Sequence, residues 1–330
     1  MSMENVKIRD IEVYHGKNII DNDYYIEHFK KQGKDVKKFM EETMGRKYRY
    51  EIDSKTENAL TMAIESSRDV IKKSNLTGKD IDMIVYSGML SEYVSPTTAL
   101  IIHSAIKGKQ ECFCHHMNVN CIGMTYALDL ANRYISSDPQ INRVLLVSSD
   151  YLTPQVSPEN EECYGQYGDA SCALILERTD EDCKLIDTKI SVNTDFIDYV
   201  RFPKCGFSNI YDIPKEEVYV KWKSFGTWWI DGAIENINSM LSKSDLSIND
   251  ISMFCFSQIA YKNIVTLREK MGISEEKSIY IADTYGYTGT TSPFIAFYEA
   301  IKNGQVKRGD YVIFCTVAAG STHITLMLKY

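Results

Sequence analysis

Apolar positions along the chain fall into helical stripes that alternate with short continuous runs. Between residues 63 and 88, a stripe with helical spacing leads through a short polar loop into a buried strand. Residues 233–258 repeat this arrangement without a gap, 170 positions later, with Ala63/Ala233, Glu65/Glu235, Lys73/Lys243, Leu76/Leu246, Asp80/Asp250, Ile81/Ile251 and Met83/Met253 matched. Helix–loop–strand units share patterning without common ancestry. The gapless register and the similar place of each unit in its half favour duplication.

The rest of each half continues the alternation. In the first half, a loop at 91–96 precedes a helix at 97–106, an extended run at 111–120, a helix at 122–135, and strands at 143–149 and 170–176. In the second, helices at 262–271 and 292–303 alternate with strands at 278–282 and 311–316. Strands alternating with helices predict an α/β fold whose sheets are covered by helices. The helix at 122–135 is apolar nearly all round, as expected of a central buried helix. A charged stretch at 177–184 divides the chain into halves 1–178 and 179–330. The carboxyl ends of the strands, where the halves meet, are the expected site.

Composition narrows the classes. The 330 residues can bury a large core, and the net charge of −8 argues against a general nucleic-acid binder. No apolar run approaches the ~20 residues of a membrane span, and residues 1–10 are too polar for a secretory signal. Nine scattered cysteines without a CxxC pair predict reduced thiols and a cytoplasmic location. Cys112, Cys114, His115 and His116 lack a second ligand pair, so strand alternation accounts for them better than zinc, and no metal site is expected.

Among these thiols Cys121 stands apart. It lies in Asn118-Val119-Asn120-Cys121-Ile122-Gly123-Met124, where the extended run gives way to the central helix. A helix start favours the thiolate, which is the nucleophilic form. Gly123 admits a second backbone close by. Most cysteines are only small buried hydrophobes, and other motifs along the chain decide the matter.

Those motifs resemble the thiolase-like superfamily, and within it β-ketoacyl-acyl-carrier-protein synthase III, over essentially the whole chain. The segment from Asn118 to Leu128 resembles the family's nucleophile segment. Tyr167-Gly168-Asp169-Ala170-Ser171 resembles its FGDGA-type turn, and the stretch from Tyr285 to Ser292 its YGNTSAAS-type motif. The stretches 304–310 and 318–322 are similar to its closing loop and glycine-rich turn. The resemblance implies a five-layered α-β-α-β-α fold of two similar halves, normally a homodimer. It implies Cys121 as acyl acceptor, with an oxyanion hole made by the backbone N–H groups of Cys121 and Ala319. It implies acyl-CoA or a phosphopantetheine-linked acyl thioester as substrate, acyl carrier protein as partner, and no permanently bound cofactor.

The family's other two catalytic residues are a His opening an HQAN-like motif and an Asn in the YGN motif. Counting along this chain puts Ser257 and Tyr287 in those positions. Each offers an O–H donor, and neither is a base at neutral pH. His323, four residues after Ala319, is the candidate replacement base. Arg46, Lys47 and Arg49 fall in a region similar to the family's GIRxR segment and are candidates for CoA phosphates. Lys262 is a candidate for holding the carrier's arm. Lys34, Lys37, Lys38 and Lys204 could add local docking charge. Segments 203–214 and 87–96 are expected to line the acyl tunnel.

The expected function is acyl transfer from acyl-CoA or acyl carrier protein through Cys121 to a carbon nucleophile, in specialised lipid or natural-product synthesis. The alternatives are non-decarboxylative transfer to an O, N or S acceptor, and a partner subunit in a heteromeric synthase.

Overall fold

The computed structural model describes residues 5–224 and 226–330. Its strands are β1 (Val6–His15), β2 (Asn18–Asp21), β3 (Tyr48–Glu51), β4 (Met83–Ser87), β5 (Phe113–Met117), β6 (Arg143–Asp150), β7 (Ala170–Arg178), β8 (Lys184–Val192), β9 (Val200–Arg201), β10 (Lys221–Trp222), β11 (Ile251–Phe256), β12 (Tyr311–Ala318) and β13 (Thr322–Lys329). Its α-helices are α1 (Asn22–Lys30), α2 (Ala59–Lys73), α3 (Thr98–Ala105), α4 (Gly123–Ser137), α5 (Trp229–Lys243), α6 (Tyr261–Met271), α7 (Ala282–Tyr285) and α8 (Ser292–Lys302).

Two sheets carry the fold, ordered β1-β7-β6-β4-β5 and β8-β13-β12-β11. In the first, β5, β4 and β6 run parallel and the β6–β7 and β7–β1 pairs are antiparallel; in the second, β11 and β12 run parallel and the β12–β13 and β13–β8 pairs are antiparallel. The second sheet therefore repeats the first, less one edge strand. Alternation across the pleat then makes five layers. Met83, Val85, Val144 and Leu146 of the first sheet face inward onto Met124, Leu128 and Ala131 of α4. Met253, Val312, Phe314 and Leu326 of the second sheet share that central core with Phe294 and Phe297 of α8. Ile84, Tyr86 and Leu145 face outward to α2 and α3, and Phe254, Ile313 and Met327 face outward to α5 and α6. The order is α-β-α-β-α, as the resemblance implies.

The duplication survives in local detail. The loop after α2 turns through Asn75 at φ +53°, and the loop after α5 through Asp245 at φ +53°, 170 positions on. Both then close the same polar box. Thr77 donates its N–H and hydroxyl to Asp80 (2.8 and 2.7 Å), and Ser247 donates likewise to Asp250 (2.7 and 2.6 Å). These bonds hold both carboxyls below their ordinary range.

One expected element is absent: residues 278–282 form no strand. Buried Gln258 stands where ladder bonds would. Its Oε1 accepts the Ile281 N–H (3.0 Å), and its Nε2 donates to the carbonyls of Phe256 (2.9 Å) and Ile279 (3.4 Å). One amide side chain thus satisfies backbone that a neighbouring strand would otherwise pair. Among the described residues no helix is long and apolar enough to cross a membrane.

Candidate active site

Cys121 sits in a single 3₁₀ turn, Asn120–Ile122, between β5 and α4. Asn120, at φ +53°, makes the sharp reversal that presents the thiol to the space between the two sheets. Gly123 is required here, since a Cβ would lie 2.0 Å from the Ser87 hydroxyl. Cys121 is 9 % exposed and packs with Ile122, Tyr287, Ala318 and Ile324. The helix start is as expected, but the expected thiolate is not. Burial pushes the Cys121 thiol up to about 11, while the Tyr287 hydroxyl and the backbone N–H groups of Ala319 and Cys121 pull it down.

The structure brings Ala319 and Tyr287 to this thiol, and Ser257 to Tyr287. Ala319 lies in the turn between β12 and β13, and its backbone N–H faces the sulfur beside that of Cys121. The Asn120 side chain fixes this turn by donating to the Ala319 carbonyl (3.1 Å). Tyr287 is buried, with its hydroxyl facing both the Cys121 thiol and the Ser257 hydroxyl. That hydroxyl completes a hydrogen bond to no group among the described residues, which leaves a donor aimed at the sulfur. Burial beside the thiol pushes the Tyr287 phenol well above its ordinary range, so it stays protonated.

His323 is not brought to the site. It shares the outward face of β13 with Met327, against α5, and a Cβ on Gly232 would lie 3.1 Å from its Nε2. Its ring stands edge-on to Trp228 at 5.8 Å, and burial lowers its pKa. Its neighbour Ile324 is the one that packs beside Cys121. Strand parity therefore removes His323 as a replacement base.

Arg46 and Arg49 are also placed otherwise than expected. Both are fully buried. Arg46 donates to the carbonyls of Gln166 (3.1 Å), Met44 (2.8 Å) and Ile259 (2.8 Å), and to the Tyr280 hydroxyl. Arg49 donates to the Gly165 carbonyl (2.8 Å) and Asn22 Oδ1 (2.8 Å) and lies 4.6 Å from the Tyr25 ring centroid. Burial lowers its pKa to about 10. Guanidiniums spent on backbone carbonyls have no face left for a phosphate. Lys47 is exposed and lies 3.2 Å from Asp283.

Around the thiol is a cavity of about 130 Å³, lined among others by Met89, Leu90, Leu152, Tyr167, Val200, Phe202 and Tyr287. It shares Trp222 and Ile259 with an adjoining groove that reaches the surface beside Phe39, Ser224 and Lys262. Lys262, exposed in the first turn of α6, thus stands at the mouth of a path to Cys121. The segment 87–96 reaches the cavity through Met89 and Leu90. Residues 203–207 line an open groove that shares Asn120, Val200, Phe202 and Ala319 with this cavity. Lys34, Lys38 and Lys204 are ion-paired with Glu161, Glu42 and Glu217.

Residues 116–194 match the family model described as 3-oxoacyl-[acyl-carrier-protein] synthase III, and residues 241–330 match its C-terminal counterpart. The two together span half the chain. The chain belongs to the 3-oxoacyl-[acyl-carrier-protein] synthase III family. It is 28% identical over 327 residues to a β-ketoacyl-[acyl-carrier-protein] synthase III of Clostridium novyi, covering 97% of each chain. The solved 3-oxoacyl-[acyl-carrier-protein] synthase III of Aquifex aeolicus superposes with a TM-score of 0.86 at 24% identity, over 98% of this chain and 100% of that one. A Xanthomonas campestris OleA variant, solved with lauric acid and lauroyl-CoA, superposes at 0.84 with 15% identity over 99% of this chain and 100% of that one. Family membership makes the chain a transferase, an acyl-transferring condensing enzyme of lipid biosynthesis.

Two residues of this synthase III site were not singled out from sequence. Asp150, fully buried at the end of β6, accepts the N–H of Met89 (2.8 Å) and the N–H and hydroxyl of Thr290 (2.8 and 2.6 Å). Burial raises its pKa. Met89 places its Sδ 3.4 Å from Cys121 Sγ. The only available signal was an acidic residue ending an otherwise apolar strand, which is common at strand ends.

Proposed function

We propose that Cys121 takes an acyl group from an acyl-CoA or acyl-carrier-protein thioester and passes it to a carbon nucleophile released by decarboxylation of a carrier-bound malonyl group. In the first step the bond from Cys121 Sγ to the acyl carbon forms and the donor C–S bond breaks, and the thiol proton leaves on the donor thiol. The carbonyl oxygen takes its developing charge to the N–H groups of Cys121 and Ala319. In the second step CO₂ departs, the enolate oxygen is held by the hydroxyls of Tyr287 and Ser257, and its carbon attacks the acyl-enzyme. The Cys121 sulfur then leaves and is reprotonated.

One observation carries the choice of a carbon acceptor. Among the described residues lining the cavity there is no His, Asp, Glu or Lys. An oxygen or nitrogen acceptor must lose a proton to a base. A carbanion made by losing CO₂ needs none, only donors for its enolate, and the Tyr287 hydroxyl, facing the thiol and Ser257, supplies one.

Intact-protein mass spectrometry tests the proposal. Incubation with a panel of acyl-CoAs adds the acyl mass to the wild type and not to Cys121→Ala, and malonyl-carrier protein then clears the adduct with release of CO₂. An adduct that persists with malonyl-carrier protein but is cleared by an alcohol or amine would overturn the carbon acceptor.

The active form is proposed to be a homodimer. β5 is an edge strand with Phe113 exposed, and Leu100, Tyr93 and Val94 are exposed nearby. Light scattering after size exclusion is expected to give twice the single-chain mass. A single-chain mass at micromolar concentration would rule this out.

A further inference from the structure

The two sulfurs at the centre of the site define the direction an acyl chain must take. Once Cys121 is acylated, its carbonyl oxygen points to the N–H groups of Cys121 and Ala319, and the attacking carbon arrives from the side of Tyr287 and Ser257. The remaining direction from Sγ is filled by the Met89 thioether, 3.4 Å away. We infer that Met89 sets the size of the acyl group that Cys121 accepts.

Met89 is built to hold that position. Its N–H donates to Asp150 Oδ1 (2.8 Å), and its carbonyl accepts from Asn118 Nδ2 (3.1 Å), so both of its backbone groups are pinned. The far side is closed as well. A Cβ on Gly289, at φ +61°, would lie 2.4 Å from Asp150 Oδ2 and 2.9 Å from Met89 Cε. The two hydrogen bonds hold the Met89 backbone in place, and Gly289 backs its methyl end. A thioether chain adapts its shape but still occupies volume. Leu90 and Leu152 line the cavity with it and make the wall apolar, suited to an aliphatic chain. Asp150 is a positioning residue, acting on the acyl group through Met89.

The inference rests on acylation of Cys121, and one experiment separates the two. Purified full-length wild type, Met89→Ala, Met89→Phe and Met89→Leu are each incubated with straight-chain acyl-CoAs from two to twelve carbons. Loading of Cys121 is followed by mass spectrometry, with thermal melting as a check on folding. Met89→Ala is expected to raise loading of the first chain length the wild type rejects by about tenfold or more, the discrimination one methylene gives in an apolar pocket. Met89→Phe is expected to move the cut-off to shorter chains, and Met89→Leu, of similar volume, to restore the wild-type order. If Met89→Ala does not fold, the downward shift in Met89→Phe decides. Folded variants that load with the wild-type chain-length profile would overturn the role of Met89. Failure of every protein to load any donor, while iodoacetamide still labels Cys121, would instead overturn the acyl-enzyme itself.

Discussion

At the scale of single residues, the site is a buried thiol facing donors, with no His, Asp, Glu or Lys among the described residues that line its cavity. Burial pushes the Cys121 pKa up to about 11, so the group is overwhelmingly the neutral thiol at pH 7. Because burial raises the value, reactivity is low at neutral pH and climbs with alkali. Iodoacetamide alkylation of Cys121 is expected to rise roughly tenfold per pH unit from 7 to 10, whereas a free thiol levels off above about 9. A plateau by pH 8 would show that the helix start outweighs burial. Tyr287→Phe removes the donor aimed at the sulfur, so condensation is expected to fall about 10²–10³-fold, as when an oxyanion donor is lost. Turnover with malonyl-carrier protein measures this. Cys121 was legible because its flanks change from strand to helix at the thiol. Arg46 and Arg49 were misread because charge suggests surface. Only the folded chain shows that carbonyls from three segments converge on them.

At the scale of elements, most of the pattern was legible because it is local. The helix expected at 262–271 is Tyr261–Met271, that expected at 292–303 is Ser292–Lys302, and the strand expected at 311–316 is Tyr311–Ala318. The duplicated boxes invite a paired test. Thr77→Ala and Ser247→Ala are each expected to cost about 1 kcal/mol. The double variant is expected to lose the sum within about 0.5 kcal/mol, since the two boxes lie on different sheets. Urea denaturation measures both. The strand missed at 278–282 shows what a local pattern leaves out. Its apolar residues suit a strand, but its backbone partner is the side chain of Gln258. Gln258→Leu leaves the Ile281 N–H and Ile279 carbonyl unpaired and is expected to destabilise by about 2–4 kcal/mol, again read by denaturation.

At the scale of the whole molecule, one buried cation ties the halves together. Arg46 belongs to the first half, and its guanidinium binds the Ile259 carbonyl just beyond Ser257 and the Tyr280 hydroxyl in the second. Arg46→Ala abandons the carbonyls of Met44, Gln166, Gln258 and Ile259 and the Tyr280 hydroxyl and is expected to destabilise by about 3–5 kcal/mol. Arg46→Lys cannot reproduce the planar fork and is expected to recover only part of this, as thermal melting would show.

The sequence by itself determined the α/β class, the doubled helix–loop–strand unit and most of the order of elements, and it singled out Cys121. All of these rest on short-range periodicity or contiguous motifs. Tertiary structure alone decided which face of β13 meets the thiol. Both faces of that strand are buried, so alternation separates Ile324, Leu326 and Leu328 from His323, Thr325 and Met327 but does not say which set meets the thiol; the fold puts Ile324 beside Cys121 and His323 against α5. It alone also placed Met89, Asp150 and Tyr287 around one sulfur. Those residues are far apart along the chain and converge only where the ends of two sheets face each other across α4 and α8.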